Sequence, residues 1–173
     1  ISATPSSPTS VPAKAAPRGK EPTILAGAFD PKFKDAAPEG ALVVGFEIGL
    51  GKFGNRDMIR SVRPIFRAGD KESFGETHGT TKPTVTLKAK DGYAVGAVTA
   101  VHGMMFDGMS VTFMKVVDGK LDPQDSYESE WVGGMGGGGP TKLGGDVLPV
   151  IGLTGKTRPD SLTGLGLLLP ADK

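Results

Sequence analysis

The run Gly103-Met104-Met105-Phe106-Asp107 combines a flexible backbone with a fixed carboxylate, the combination suited to holding a polyhydroxylated ligand. Glycine lets the chain bend close to a ligand. An aspartate at that spacing offers two acceptor oxygens to neighbouring hydroxyls while loop amides donate to the same molecule, and paired hydroxyls are what a sugar presents. The same spacing also describes an ordinary hairpin in which Asp107 satisfies its own turn. Other chemistry finds less support. Asp118, Asp122, Asp125, Glu128 and Glu130 crowd one stretch but lack the alternating aspartates, central glycine and terminal glutamate of a calcium loop. Two histidines, His78 and His102, are too few for an imidazole metal set without carboxylate help. The absence of cysteine removes disulfides, thiolate metal sites and cysteine nucleophiles together. The glycine run 133–139 lacks the Gly-Lys-Ser/Thr ending and the following helix of a phosphate loop. No metal, no cofactor and no catalytic residue are expected, since neither a nucleophile with its base nor a pair of carboxylates with separated pKa values can be assembled.

These residues need a scaffold, and composition limits what it can be. A chain of 173 residues suits one core plus a tail. A net charge of +1, spread along the chain, gives no basic footprint for nucleic acid and no acidic block. No apolar run reaches the length of a membrane span. Gly 27 and Pro 14 are high, yet Leu, Ile, Val and Phe make up about a quarter of the chain, above the level that suggests disorder. Residues 1–22, rich in Pro, Ala, Ser and Thr, read as an extended linker or tether, and residues 23–173 as the folded domain. The chain begins at Ile1 rather than Met, which fits removal of a secretion signal or a cloning boundary.

Three stretches repeat one pattern, and the repeat fixes the architecture. Val44-Gly45-Phe46 leads to Val62, Pro64 and Phe66; Val95-Gly96-Ala97 to Met109, Val111 and Phe113; Ile151-Gly152-Leu153 to Leu165, Leu167 and Leu169. Period-two alternation of this kind, seen also in Val85, Leu87 and Ala89 against Thr86, Lys88 and Lys90, predicts half-buried strands. Pro64 lacks a ladder donor and suggests an edge or bulge. Glycine and proline interrupt nearly every window that might have been helical. Each unit reads as about four strands. Three irregular units would leave exposed ends in an open stack, so a closed, three-sided, all-β arrangement is expected.

The repeated unit, the Gly-x-x-x-Asp turn within it and the closing run Val150-Ile151-Gly152-Leu153-Thr154-Gly155-Lys156 to Leu165-Gly166-Leu167 resemble the jacalin-related lectins, over roughly residues 25–169. The resemblance implies a β-prism of three four-stranded Greek-key sheets with pseudo-threefold internal repeat. It also implies sugar binding without metal or catalysis. In that family a pocket joins the Gly-x-x-x-Asp turn to a downstream glycine-rich loop, which here falls on Trp131-Val132-Gly133-Gly134-Met135-Gly136. The implied carbohydrate site is therefore Gly103, Met104, Met105, Phe106 and Asp107 with Trp131, Gly133 and Gly134. Trp131 would stack on a sugar face or, equally, plug the prism. Asp107 and Glu130 would be the only conceivable glycosidase pair. The other copies depart from the pattern: the third has Thr163 at the aspartate position and Pro159 at the glycine position, leaving a weaker loop of Gly155, Asp160 and Thr163, and the first has Arg60 at the aspartate position with Gly54 and Asp57 nearby.

Two expectations follow. One is a non-catalytic carbohydrate-binding module, extracellular, periplasmic or at the cell surface, whose partner is a glycan or polysaccharide. The other is a structural, self-assembling or protein-interaction subunit of a cell envelope, appendage or larger complex, partnered by itself or by other envelope proteins.

Overall fold

Alternating apolar residues become thirteen strands, with no helix among the described residues. The structure, a computed structural model, describes residues 22–80, 82–136 and 138–170; residues 1–21 of the expected tether lie outside them. Three long hairpins form the frame: β3 (Leu42–Phe53) with β4 (Arg56–Ala68), β7 (Tyr93–His102) with β8 (Phe106–Val117), and β12 (Gly152–Arg158) with β13 (Ser161–Leu168). Each is flanked on both sides. β5 (Lys71–Phe74) and β6 (Val85–Lys88) complete the first sheet, and β9 (Lys120–Glu128), β10 (Val132–Gly133) and β11 (Thr141–Gly144) the second. β1 (Ile24–Leu25) and β2 (Lys32–Ala36) complete the third.

The orders β5-β4-β3-β6, β10-β8-β7-β11 and β1-β13-β12-β2 are one Greek-key pattern, in which the last strand returns beside the first of the hairpin. The third sheet closes only because the start of the folded chain supplies its two outer strands. The second sheet has five strands rather than the expected four, because β9 and β10 both pair with β8, β9 along Thr112–Val117 and β10 at Gly108 and Met109. Residues 129–131 separate β9 from β10, as residues 75–77 separate β5 from the His78 bridge to Val62 in the first sheet.

The aligned positions of the three copies do share one core. Val62, Met109, Val111 and Leu165 are fully buried, as are Phe46, Ile48 and Leu153 from the paired strands β3 and β12 and Phe106 at the start of β8. Leu169 departs from this set: it lies beyond the end of β13 and is 40% exposed. Pro64 stands in the interior strand β4, just where β5 ends. Its carbonyl accepts from the Gly75 N–H at 2.9 Å, and since N and O of one strand residue point the same way, the missing N–H faces the gap at which the chain leaves β5.

The pseudo-threefold axis is visible in backbone detail. His78 bridges Val62, Val132 pairs with Met109 and Leu25 pairs with Leu165. Within two residues of each stands a glycine in the left-handed region: Gly79, Gly133 and Gly27. These glycine loops interleave with the hairpin turns at one end of the prism. Gly27 N–H donates to Met104 O at 3.3 Å and Thr80 Oγ1 to Asp160 O at 3.0 Å, while a Cβ on Gly134 would run into the Asp57 carbonyl. All three candidate loops are thus gathered in one ring.

Candidate functional site

The Gly103–Asp107 turn and the Trp131–Gly136 loop, far apart in sequence, lie against each other. β10 pairs with the base of the β7–β8 hairpin, and Gly134 N–H donates to Asp107 O at 3.0 Å. Contact this close needs glycine on both sides, because a Cβ on Gly108 would meet the Gly134 carbonyl and the Trp131 indole. Gly133, at φ 96, would strike Asp107 O and Gly108 if it carried a side chain. Trp131 Nε1 donates to Gly134 O at 3.2 Å. Its only donor therefore closes its own loop, and a half-buried ring surface is what it has left to present.

Within the turn the predicted residues separate by depth. Gly103 is exposed, Met104 is 88% exposed and Met105 is half-buried, whereas the Phe106 side chain is fully buried in the core and cannot touch a ligand at the surface. The Asp107 carboxylate is half-buried and, among the described residues, accepts no hydrogen bond from the protein. The reading in which Asp107 satisfies its own turn does not hold here. Burial pushes its carboxyl above the ordinary value, against the attraction of Arg56 and His102. Sequence reasoning assigned no part to either neighbour. Arg56 comes from the first hairpin, and its guanidinium lies where a side chain on Gly136 would be; His102 O accepts from Gly138 N–H at 3.0 Å.

The equivalent positions in the other copies are filled by the protein itself. In the first, Arg60 lies over Gly51 and donates through Nη2 to Lys52 O at 3.1 Å, and Lys52 pairs with Asp57 at 2.6 Å. In the third, Thr163 is fully buried and Gly155 is buried inside β12 under the Phe33 ring, so neither belongs to an open loop. Asp160 sits exposed at the turn, its carbonyl taken by Thr80. A carboxylate does occupy this copy, but it comes from Asp30 on the opposing loop, a residue that spacing within the hairpin gave no way to find. Arg158 Nε reaches both its oxygens, at 3.2 and 3.3 Å, and Lys156 Nζ caps Ala28 O at 2.9 Å. The Thr163 hydroxyl first, then Arg158, hold the Asp30 carboxyl below its ordinary value.

At the far end of the prism a cleft of about 890 Å³ opens between Ala41, Val44, Arg67, Lys88, Tyr93 and Ile151, and it contains none of the predicted residues. The acidic stretch does not converge: Asp125 accepts from Tyr93 OH at 2.6 Å and Glu128 from Ser110 Oγ at 2.7 Å, and no three metal-ligating side chains cluster among the described residues.

Three Greek-key sheets around one core, with glycine loops laid against hairpin turns at one end, decide the comparison with known folds. The fold is that of the jacalin-related lectins. No protein-family model matches the sequence, and no curated protein matches it. Among solved structures, the jacalin-like fold recurs in artocarpin bound to mannotriose, at 13% identity over 87% of this chain and 99% of that one, with a TM-score of 0.64. It recurs in a mannose-specific jacalin-related lectin from Morus nigra in complex with mannose, at 13% identity over 92% and 99% of the two chains, with a TM-score of 0.63. A mannose-binding jacalin-related lectin from Ananas comosus matches at 11% identity over 87% and 96%, with a TM-score of 0.61. At these identities the jacalin-like likeness is one of fold.

Proposed function

We propose that the protein is a non-catalytic carbohydrate-binding module whose sugar site is the pocket between the Gly103–Asp107 turn and the Trp131–Gly136 loop. The observation that carries this reading is the contrast among the three copies. The protein's own groups fill two of the equivalent positions, and the third keeps a half-buried carboxylate that accepts no hydrogen bond from the protein. A half-exposed carboxylate that the protein does not use as an acceptor is free to take hydrogen bonds from a ligand with adjacent hydroxyls. Arg56 and the Met104 and Met135 side chains border the pocket, offering one charged donor and apolar surface for the C–H face of a pyranose. The solved neighbours named for mannose, mannotriose and mannose binding support a neutral hexose as the first class to test. The proposal includes a secreted or surface-attached setting, where glycans are displayed; fractionation of expressing cells tests that part.

A glycan array probed with the intact protein beside Asp107→Ala tests the site. Selective binding lost in the variant, with an unchanged melting temperature, is the expected result. A blank array from a folded protein, or binding indifferent to Asp107, would overturn it.

A further inference from the structure

The cleft at the far end of the prism takes a wall from each sheet: Val44 from the first, Ala94 and Val116 from the second, and Ile151 at the entrance to the third. Its floor is made of short apolar side chains, with Ala41, Ala89 and Ala94 all buried, and its volume of about 890 Å³ leaves room for a stretch of extended chain. The described chain enters at this same end. β1 runs antiparallel to β13 with Ile24 opposite Gly166, and on the other side of β13 Ile151 N–H donates to Leu168 O at 2.9 Å. Pro22, the first described residue, therefore stands about two strand spacings, roughly 10 Å, from Ile151. We propose that residues 11–18 of this same chain dock in the cleft.

The segment Val11-Pro12-Ala13-Lys14-Ala15-Ala16-Pro17-Arg18 fits the cleft in reach, size and charge. At about 3.1 Å per residue of extended, polyproline-type chain, the stretch from Pro22 back to Pro17 already spans about 15 Å, more than the gap to Ile151. Alanine and proline are short enough to lie on a floor of alanines, and the fixed φ of Pro12 and Pro17 reduces the entropy lost on docking. Charge follows the same direction. Arg67 and Lys88 are both committed to Glu72, at 3.2 and 2.9 Å, which leaves Asp70 and Asp91 as the carboxylates of the rim; Asp91 is fully exposed and 4.0 Å from Arg67. Of the lysines on the adjoining turns, Lys90 lies over the Tyr93 and Tyr127 rings, and Lys71 and Lys120 stand outside the lining. Lys14 and Arg18 supply two cations for the two rim carboxylates. The inference does not rest on sugar binding, since Asp107 lies at the opposite end.

Because the chain contains no cysteine, Ala13→Cys carrying a nitroxide places one paramagnetic centre in the segment of the intact chain. In isotope-labelled protein the nitroxide should broaden the amide resonances of Ala41, Ala89 and Gly92 around the cleft and leave those of Gly103 and Gly134 sharp. Dilution should not change this, and spin-labelled chain mixed with isotope-labelled chain lacking the nitroxide should show no broadening. Asp70→Lys with Asp91→Lys, both exposed, should weaken the broadening at least about threefold with an unchanged melting temperature, and Lys14→Asp with Arg18→Asp should restore it in that background. Sharp resonances around the cleft, equal broadening at both ends, or broadening that the charge reversal leaves unchanged would overturn the proposal. So would broadening in the mixed sample, which would assign the cleft to the same segment of a second copy.

Discussion

A carboxylate behaves according to the donors around it, and the three copies show this at one equivalent position. Arg60 and Thr163 are built into their own hairpins, whereas Asp107 is left without a protein donor. If Asp107 accepts from ligand hydroxyls it must be ionised. Burial raises its pKa, so affinity should fall on acidification at a pH above that expected for an ordinary aspartate near 3.8; titration calorimetry over an acidic pH series checks this. The sign for stability is opposite. A raised carboxyl favours the folded state at low pH, and that contribution is lost as pH rises through the folded value, so Asp107→Asn should be no less stable than the parent at neutral pH. Arg60→Ala should leave sugar binding intact, since Arg60 bonds Lys52 O in a different hairpin. Affinities of the two variants side by side test that distinction.

At the scale of elements, the proposed sugar site depends on one loop lying against one hairpin. β10 is two residues long and is held by its pairing with Gly108 and Met109, by the Gly134-to-Asp107 hydrogen bond and by the Trp131 indole. Gly108→Ala would push a methyl into both the Gly134 carbonyl and the indole. We expect it to cost about 1–3 kcal/mol and to abolish sugar binding with Asp107 intact, measured by denaturant unfolding and by the same array. Gly103→Ala, where a Cβ meets no atom within 4 Å, should do neither. Trp131 belongs to this scale too, because its donor is committed to Gly134 and its first duty is to hold the loop.

Across the whole molecule, three sheets close around one core and few polar contacts tie one sheet to the next. The clearest joins β2 to the loop after β5: His78 Nε2 and Asp35 Oδ2 lie 2.7 Å apart, Glu76 N–H donates to the same oxygen at 2.8 Å, and the Phe33 ring stacks on the imidazole at 3.7 Å. Both side chains of the pair are close to buried, at 11% and 12% exposure. Asp35→Ala strands the imidazole and the amide, and should cost about 2–4 kcal/mol in a single cooperative unfolding transition, read by urea melts followed through Trp131. Phe46→Ala, at the centre of the shared core, should cost about 3–5 kcal/mol.

How far the sequence reaches differs at each of these scales. Period-two alternation and the threefold recurrence of Val62, Met109 and Leu165 determined an all-β closed repeat, because burial on one face of a strand writes itself directly into residue spacing. The Gly-x-x-x-Asp turn was legible for the same local reason. The meeting of that turn with the Trp131 loop was expected only through a family resemblance, and the geometry supplied its cause in the glycines at 108, 133 and 134. Asp30 was not legible in the third copy, because its partners Arg158 and Thr163 are distant in sequence and lie opposite it only when β1 and β2 complete the last sheet. Gly155 and Phe106 read as loop residues and turned out to be interior, since exposure depends on what packs above a residue. The sequence alone therefore determined the strands, their faces and the threefold plan, which depend on neighbours along the chain. Only the tertiary structure decided which of three similar hairpins keeps its acceptor open, since that depends on donors brought in from other sheets.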